Sequence, residues 1–473
     1  DSIAWGVTNG SIDVLDYYRI TFTDDSWESY VYGDTTRKAS VRVEEIKVKG
    51  ANPMYDTVTY THLGPVYYDR GFGKLNVPVA IRWTAHDYSN ELKTFVQLNK
   101  ARNYTEYRAA IKDYACPGQN FVFAAADGDV AMTQQGKFPI RWQGQGRYVL
   151  NGSDPAHEWQ GFIPAEHNPA ELNPPRGYVG SANQHPTNQF YPYYYTGFFT
   201  EDRSRQLAGL MTKDSLDVDD MKAFQQDNLN ISARDLLPLT LSLLDSNLTG
   251  EHQRYVRDQL TSWDYRHEKD AAEPIMYQLW ENLLRSAIWD DEFNTDSRAL
   301  MLPSKQATIG LLLDSVAFKF YDNINTTATE TRQDLVRSTF QTMVDSLYSM
   351  NEDPTQWIWY KWKGTKIRHL MDRGGGPLEA FSRFDVPIGG NRGILNAAAS
   401  RWGPSWRMVV SLGDKVEAWG VYPGGQSGNP GSSQYDDFID DWAAGEYYRL
   451  WFMQSATEQD SLFLSKTHVQ SSK

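Results

Sequence analysis

The feature of this sequence that most constrains its fold is a change of apolar periodicity along its length. Between residues 1 and 145, apolar and polar residues alternate in short runs, as at 58–62 and 79–85, which is the period of half-buried β-strands. Between residues 200 and 350 the apolar residues recur at helical spacing instead. Separate blocks of strands and helices are typical of one class, so we expect an α+β fold.

We divide the chain into three regions of one integrated subunit. Residues 1–200 are expected to be a β-rich core part with long loops. Residues 201–350 are expected to be mainly helical, and residues 351–473 to return to mixed β structure. We treat the three regions as parts of one integrated subunit and not as independent domains.

Three local signals make this division specific. Asp127-Gly128 predicts a hairpin turn between strands at 120–125 and 129–133. Gly64-Pro65 predicts a turn after the strand at 58–62. The Trp-Ile-Trp run at 357–359 predicts a strand in the C-terminal region.

The helical region carries recognisable helix starts. Asp217 can cap a helix, and Pro274 stands at the start of another. After Pro274, apolar residues recur at helical spacing: Met276, Leu279, Trp280, Leu283, Leu284 and Ala287. Such a stripe is typical of a buried helix face rather than of a cofactor-binding segment.

Composition excludes several classes of function. The chain has 46 basic and 60 acidic residues, a net charge of −14, which disfavours a nucleic-acid or anionic-membrane partner. Its single cysteine allows no intrachain disulfide, and no apolar run approaches the ~20 residues that span a bilayer. The aromatic share of 14% favours an apolar binding cleft.

The segment 4–16 contains a short strand that ends in a tight turn. Trp5 and Val7 alternate with small or polar neighbours, and Asn9-Gly10 has strong turn chemistry. In such a turn the backbone N–H of Asn9 can face a substrate. The simpler interpretation is an ordinary hairpin, because short motifs often arise by chance.

Two acidic residues follow this turn. Asp13 and Asp16 are three residues apart, and in a loop both can point at one hard cation, with the Leu15 carbonyl as a third oxygen. The alternative is that both acids are solvated at the protein surface. The sequence leaves these two interpretations open.

The motifs of several hydrolase classes are absent from the sequence. It contains no Gly-x-Ser-x-Gly and no His-Glu-x-x-His, and its nine histidines form no cluster. Cys116 has no basic neighbour in sequence, so we interpret it as a buried inert thiol. Among the remaining polar residues, Asn183 lies in a loop rich in proline and aromatic residues, where its amide can donate to a developing oxyanion.

A series of short motifs runs in a fixed order over nearly the whole chain. It comprises Ala-Trp-Gly-Val-Thr-Asn at 4–9, His-Leu-Gly-Pro-Val at 62–66, Arg-Trp-Thr-Ala at 82–85, Pro-Gly-Gln-Asn-Phe at 117–121, Gly-x-x-Pro-x-Arg at 136–141, Trp-Gln-Gly-Phe at 159–162, Ala-Asn-Gln at 182–184, Gly-Pro-Ser-x-Arg at 403–407 and Gly-Gln-Ser-Gly at 425–428. This ordered set resembles the large β-subunit of the penicillin acylase family, which are N-terminal-nucleophile amidohydrolases that include penicillin, cephalosporin and acyl-homoserine-lactone acylases.

The resemblance implies a fold and a reaction. The fold is a four-layer αββα sandwich with a helical insertion, completed by a second chain or segment. In the reaction, an N-terminal serine exposed by self-cleavage of a precursor attacks an amide carbonyl, with its own α-amino group as general base. The implied substrate is a small amide with a hydrophobic acyl group, such as a β-lactam antibiotic or an N-acyl-homoserine lactone.

The resemblance also assigns roles to three polar residues. Asn9 matches the residue whose backbone N–H lines the oxyanion hole, and Asn183 matches the asparagine whose side-chain amide completes it. Arg203 matches an arginine linked to substrate entry and to positioning of the catalytic amine. These three positions are the expected catalytic residues in this sequence.

A structural calcium ion is the only cofactor that the resemblance implies. Asp13, Leu15 through its carbonyl, and Asp16 match calcium ligands, so that a Ca²⁺ would clamp the turn that carries Asn9. A third family carboxylate belongs near Pro192, and no acidic residue stands there in this sequence.

The nucleophile is not among the residues that match. The resemblance places it several dozen residues before the Ala-Trp-Gly motif, so we expect it on an upstream β segment and nominate none here. The alternative is that Asp1 is trimmed and Ser2 becomes the nucleophile. A small α-subunit from the same precursor is the expected partner, and the expected location is the bacterial periplasm or outside the cell.

Two other functions remain as alternatives. A relative without catalysis would keep the scaffold as a binding module for hydrophobic or peptidic ligands. A carbohydrate-binding or glycosidase domain is suggested by the 16 Trp and 28 Tyr, but no pair of carboxylates in the sequence has a reason to act together.

Overall fold

The structure is a computed structural model, and it describes residues 2–67, 77–245, 248–293, 302–314, 316, 318–372, 374–453, 465 and 467. The chain divides into two compact units, Asp1–Ser204 and Arg205–Lys473. Strands and helices are both present, as expected for an α+β protein. Within the described ranges, no helix combines the length and the apolar character needed to cross a bilayer.

The first unit is built mainly from strands. They are β1 (Ile3–Asn9), β2 (Leu15–Arg19), β3 (Ser29–Tyr32), β4 (Thr35–Lys38), β5 (Ser40–Ile46), β6 (Met54–Thr61), β7 (Gly64–Tyr67), β8 (Val79–Trp83), β9 (Gln119–Ala125), β10 (Val130–Gln135), β11 (Leu150–Asn151) and β12 (Ala170–Leu172). The helices are α1 (Glu91–Leu98), α2 (Tyr104–Ile111) and α3 (Asp202–Leu210), which crosses the boundary between the units.

These strands form two larger sheets and one hairpin. One sheet has the order β1-β9-β10-β12, the other has the order β11-β2-β8-β7-β6-β5, and β3 pairs with β4. Phe121 and Phe123, from one face of β9, are buried with Tyr107 of α2 and Leu98 of α1. The predicted hairpin at Asp127-Gly128 is confirmed, since β9 and β10 pair antiparallel across it.

The simple hairpin interpretation of segment 4–16 is wrong. β1 pairs antiparallel with β9, whereas β2 pairs with β8 in the other sheet, so the segment after Asn9 leads from one sheet to the next. Asp16 is only 1% exposed, which also excludes the interpretation of solvated acids at that position. The structure assigns no tight turn at Asn9-Gly10, and residues 10–14, for which we keep the word turn, form an irregular connection with an isolated bridge at Ile12. The pairing partner of a strand is decided by tertiary contacts.

Two other local predictions need correction. Gly64 and Pro65 begin strand β7 instead of forming a turn, and the turn lies one step earlier, at His62-Leu63. The run 357–359 is not a strand, because Trp359 opens a short helix and its indole donates a hydrogen bond to the Gly390 carbonyl. Aromatic residues favour strands only weakly, and burial of the large rings decides here.

The second unit is mainly helical. Its helices are α4 (Val218–Gln225), α5 (Ile231–Ser242), α6 (Glu251–Ser262), α7 (Glu273–Phe293), α8 (Lys305–Leu313), α9 (Arg332–Met350), α10 (Trp359–Lys363) and α11 (Ile439–Ala444). Its strands β13 (Arg407–Leu412), β14 (Val416–Val421) and β15 (Tyr448–Leu450) form an antiparallel sheet.

The sequence signals for helices in this unit are confirmed. Asp217 caps α4 in a capping box with Asp220, and Pro274 lies in the first turn of α7. Trp280 of α7 is buried against Phe340 of α9, with ring centroids 5.1 Å apart. The apolar stripe after Pro274 is therefore a core face.

His267 is fully buried in this unit and is held in its neutral form. The Nε2 atom lies 2.9 Å from Asn230 Nδ2, which is the donor because Asn230 Oδ1 accepts from the Ala233 amide. An acceptor nitrogen carries no proton, and burial, together with the charges of Lys305 and Lys363, lowers the pKa of His267 well below its usual value.

The buried histidine predicts a loss of stability in acid. Below pH ~6.5 the unfolded chain protonates this histidine while the folded protein does not, so stability falls by up to about 1.4 kcal/mol per pH unit. His267→Gln keeps an acceptor for Asn230 and should make this fall shallower. Urea unfolding at pH 7.5, 6.0 and 5.0 measures it, with His86→Gln, at an exposed position, as the control. Equal slopes in the wild type and His267→Gln would contradict the prediction.

Candidate functional site

The structure brings Asn9 and Asn183 together although they are 174 residues apart. Asn9 ends strand β1, and Asn183 lies in the loop before α3. The Asn183 amide nitrogen Nδ2 donates to the Asn9 carbonyl at 2.9 Å and to the Ser11 hydroxyl at 3.0 Å. Two of the predicted site residues are thus direct neighbours.

Arg203 fixes the orientation of the Asn183 amide. Its Nη2 atom donates to Asn183 Oδ1 from the first turn of α3. Since a guanidinium has only donors, the atom that faces it must be the amide oxygen, which directs Nδ2 at the turn. Burial lowers the pKa of Arg203, yet a guanidinium stays charged at neutral pH. Arg203 therefore polarises the side-chain amide of Asn183.

Backbone hydrogen bonds join the turn to the loop that follows Asn183. The Phe198 amide donates to the Ser11 carbonyl at 2.8 Å, and the Asp13 amide donates to the Thr196 carbonyl at 3.0 Å. A Cβ atom at Gly197 would lie 2.3 Å from the Ser11 carbonyl oxygen, so this close approach requires glycine. The two segments consequently form one rigid piece.

Asn120 is a site residue that the sequence analysis missed. It is 2% exposed on β9, and its Nδ2 donates to the Asn9 carbonyl at 3.2 Å and to the Ser181 hydroxyl at 3.0 Å. Asn120 therefore connects the turn at Asn9 with the loop that carries Asn183. The available signal was its position on a strand beside Phe121, where the alternation places a polar side chain on the face opposite the core.

Asp13, Leu15 and Asp16 converge, but on an arginine. Arg141 Nε donates to Asp16 Oδ2 at 2.8 Å, and Arg141 Nη1 donates to the Asp13 carbonyl at 2.8 Å. Its Nη2 lies 3.5 Å from the Leu15 carbonyl. Burial, as the largest effect, raises the pKa of Asp16, while the Arg141 charge opposes that rise.

These contacts do not fit the calcium site implied by the resemblance. Ca²⁺ takes about six to eight oxygen ligands, and the guanidinium of Arg141 already engages the carbonyl oxygens that were expected to serve. The part of the chain that the structure describes holds no group of three His, Cys, Asp or Glu side chains able to bind a metal. The position near Pro192 supplies no acid, as the sequence indicated.

The cluster is suited to stabilising negative charge on an oxygen atom. Asn183 presents a charge-polarised amide at the exposed end of β1, and in this state its second N–H is held by Ser11. An oxyanion would replace the Ser11 hydroxyl as acceptor, because it carries the larger negative charge.

The chain is similar in sequence to proteins of one known family. The penicillin amidase family model matches residues 1–459 of the chain. The chain belongs to the penicillin amidase family. The family resemblance drawn from the order of the motifs is therefore confirmed.

Two relatives within the family have named activities. The chain is 26% identical over 453 residues to the acyl-homoserine lactone acylase QuiP of Pseudomonas fluorescens. This alignment covers 87% of this chain and 54% of that protein. It is 25% identical over 271 residues to the penicillin G acylase of Escherichia coli. That alignment covers 55% of this chain and 31% of the Escherichia coli protein. The chain thus spans about half the length of the QuiP acylase.

A solved structure shows the same fold. The thermostable penicillin G acylase from Alcaligenes faecalis aligns with a TM-score of 0.72 at 18% identity, over 98% of this chain and 89% of that chain. The penicillin amidase family and this shared fold agree with the mixed helices and sheets described above.

Proposed function

We propose that this protein is an acylase, an amidohydrolase that removes a hydrophobic acyl group from an amide such as a β-lactam antibiotic or an N-acyl-homoserine lactone. The observation that carries the proposal is the contact of Asn183 with both Asn9 and Arg203. It places a polarised amide donor beside the residue whose backbone N–H is expected to be its partner. Membership of the penicillin amidase family and the names of the relatives support the same reaction class.

The residues of the site divide the work of the reaction. When a nucleophile attacks an amide carbonyl, the oxygen gains negative charge, and Asn183 donates to it together with the Asn9 backbone N–H. Arg203 holds the Asn183 oxygen and so strengthens the donor, and Asn120 holds the Asn9 carbonyl. In this proposal the nucleophile is an N-terminal serine supplied by another part of the same precursor, and the site lies in an αββα sandwich completed by an α-subunit.

An apolar surface beside the donors supports a hydrophobic acyl group. Phe198 is 79% exposed although its amide is bonded to the Ser11 carbonyl, next to Asn183. Phe190, in the same loop, is 82% exposed. Exposed phenyl rings in the loop whose backbone is bonded to the polar cluster support a ligand-binding surface there.

The proposal is tested by amine release. The full-length gene product is incubated with phenylacetyl, glutaryl and long-chain acyl amides, and the free amine is quantified. We expect turnover of an apolar acyl amide and a lower rate with the charged glutaryl amide. Binding of these amides without any release of amine would overturn the proposal and favour the binding module.

A further inference from the structure

We propose that Arg141 is the built-in cation of the segment 13–16, so that this segment needs no divalent metal. Its guanidinium lies within hydrogen-bonding distance of Asp16 Oδ2 and the Asp13 carbonyl, both at 2.8 Å, and of the Leu15 carbonyl at 3.5 Å. The Asp13 carboxylate is 3.6 Å away. One side chain thus contacts each of the three residues expected to bind calcium.

The burial of this contact makes it strong and exclusive. Arg141 is 6% exposed and Asp16 is 1% exposed, so water does not compete for either group. The indole of Trp159 donates to the same Asp16 oxygen at 2.5 Å, and its ring lies 5.6 Å from the guanidinium. A planar fork of N–H donors matches this set of oxygens, and a second cation at the same place would be repelled.

The remaining oxygen of Asp16, Oδ1, faces Gly146. Oδ1 is buried without a hydrogen-bond partner among the described residues. Gly146 has φ +86°, and a Cβ atom added there would lie 2.4 Å from Oδ1. A side chain at position 146 would therefore push Asp16 away from Arg141, so the contact of Arg141 with Asp16 requires glycine there.

The contact of Arg141 with residues 13–16, which we call the Arg141 clamp, is continuous with the candidate site. Asp13, whose carbonyl binds Arg141, donates its amide to Thr196, and Ile12 bridges to Gly197. Ser11 follows directly and contacts Asn183. Arg141 is therefore a positioning residue for the turn, and it acts through the backbone rather than on the substrate.

Thermal melting of the purified full chain tests the clamp. We expect the wild-type Tm to be equal in EDTA and in 5 mM CaCl₂. Arg141→Ala should lower Tm by about 5–10 °C, since it leaves a buried carboxylate without its partner. Methylguanidinium should restore part of this loss. The control is Arg449→Ala, which breaks the exposed pair with Glu417 and should change Tm by less than about 1 °C.

Two further measurements keep the proposal falsifiable if Arg141→Ala does not fold. A calorimetric titration of the wild type with CaCl₂ should show no binding at this site. A wild-type Tm that falls in EDTA and returns with Ca²⁺, or one bound Ca²⁺ that is lost in Asp16→Asn, would overturn the proposal.

A kinetic measurement separates positioning from mere stability. Arg141→Lys keeps the charge but loses the planar set of N–H donors that holds residues 13–16. The turn that carries the oxyanion donor should then shift, so kcat should fall about tenfold or more with KM unchanged, because an oxyanion donor acts mainly in the transition state. This measurement rests on the proposed function, whereas melting and titration do not. A protein without acylase activity but with an EDTA-insensitive Tm would overturn the proposed function and leave the clamp in place.

Discussion

Replacing Asn183 with alanine is expected to lower the kcat of acyl-amide hydrolysis by about 10²–10³-fold and to change KM much less. The reason is geometric: Asn183 Nδ2 is aimed at the turn by Arg203, and no other side-chain amide donates to the Ser11 hydroxyl among the described contacts. The measurement is steady-state kinetics on the amide with the highest turnover. Unchanged kcat in the alanine variant would exclude Asn183 from the oxyanion site.

A second variant separates the donor from the loop that it holds. Asn183→Asp retains an oxygen that accepts from Arg203, so the loop should keep its structure, but it has no N–H to donate. It should therefore be as inactive as the alanine variant, although Arg203 keeps its acceptor. Asn188→Ala, in the same loop, is the matched control, because the hydrogen bonds of Asn188 among the described residues are local: its side chain accepts from the Phe190 amide and its carbonyl accepts from the Tyr191 amide.

Lys363→Met is expected to cost about 3–5 kcal/mol of folding stability, which is the largest effect on stability that we expect from one residue. Lys363 is buried, and its Nζ donates to the carbonyls of Ile388, Gly389 and Ala398 at 2.9, 2.7 and 2.9 Å. Burial lowers the pKa of Lys363 to about 7, and its amino group is the donor to these carbonyls in either protonation state. Methionine fills the space but donates nothing, so several buried carbonyl groups lose their hydrogen-bond donor. Urea unfolding followed by tryptophan fluorescence measures the change.

The control for this variant lies two residues earlier in the same helix. Lys361 is exposed on α10, and Lys361→Met should change the free energy of unfolding by less than about 0.5 kcal/mol. If the free energies of unfolding of Lys363→Met and Lys361→Met differ by less than about 1 kcal/mol, the hydrogen bonds of Lys363 to the buried carbonyls do not stabilise the fold in the way described.

The sequence predicted elements better than it predicted their partners. The periodicity located β1, β9 and β10 and the buried face of α7, because each depends on alternation or helical spacing along a short stretch. It failed where distant contacts decide. The connection after Asn9 joins two different sheets, and Trp359 opens a helix because its indole is bonded to Gly390.

The site shows the same limit at the level of single residues. Asn9, Asn183 and Arg203 were found through the family resemblance, and the structure places them in contact. Arg141 was visible only as the last residue of the Gly-x-x-Pro-x-Arg motif. Nothing local links a loop arginine to Asp16, 125 residues away, so its role depends on the fold.

The bonds between the turn and the loop at 196–198 have a consequence for substrate range. Main-chain hydrogen bonds of Ser11, Thr196 and Phe198 hold the turn against this loop, whereas the Phe198 side chain is exposed. Under the proposed function, exchange of Phe198 for a smaller or larger residue is expected to alter which acyl chains fit without disturbing these backbone hydrogen bonds. Under that proposal, reaction and selectivity depend on different atoms of one short loop, so that selection could act on one while the other is preserved.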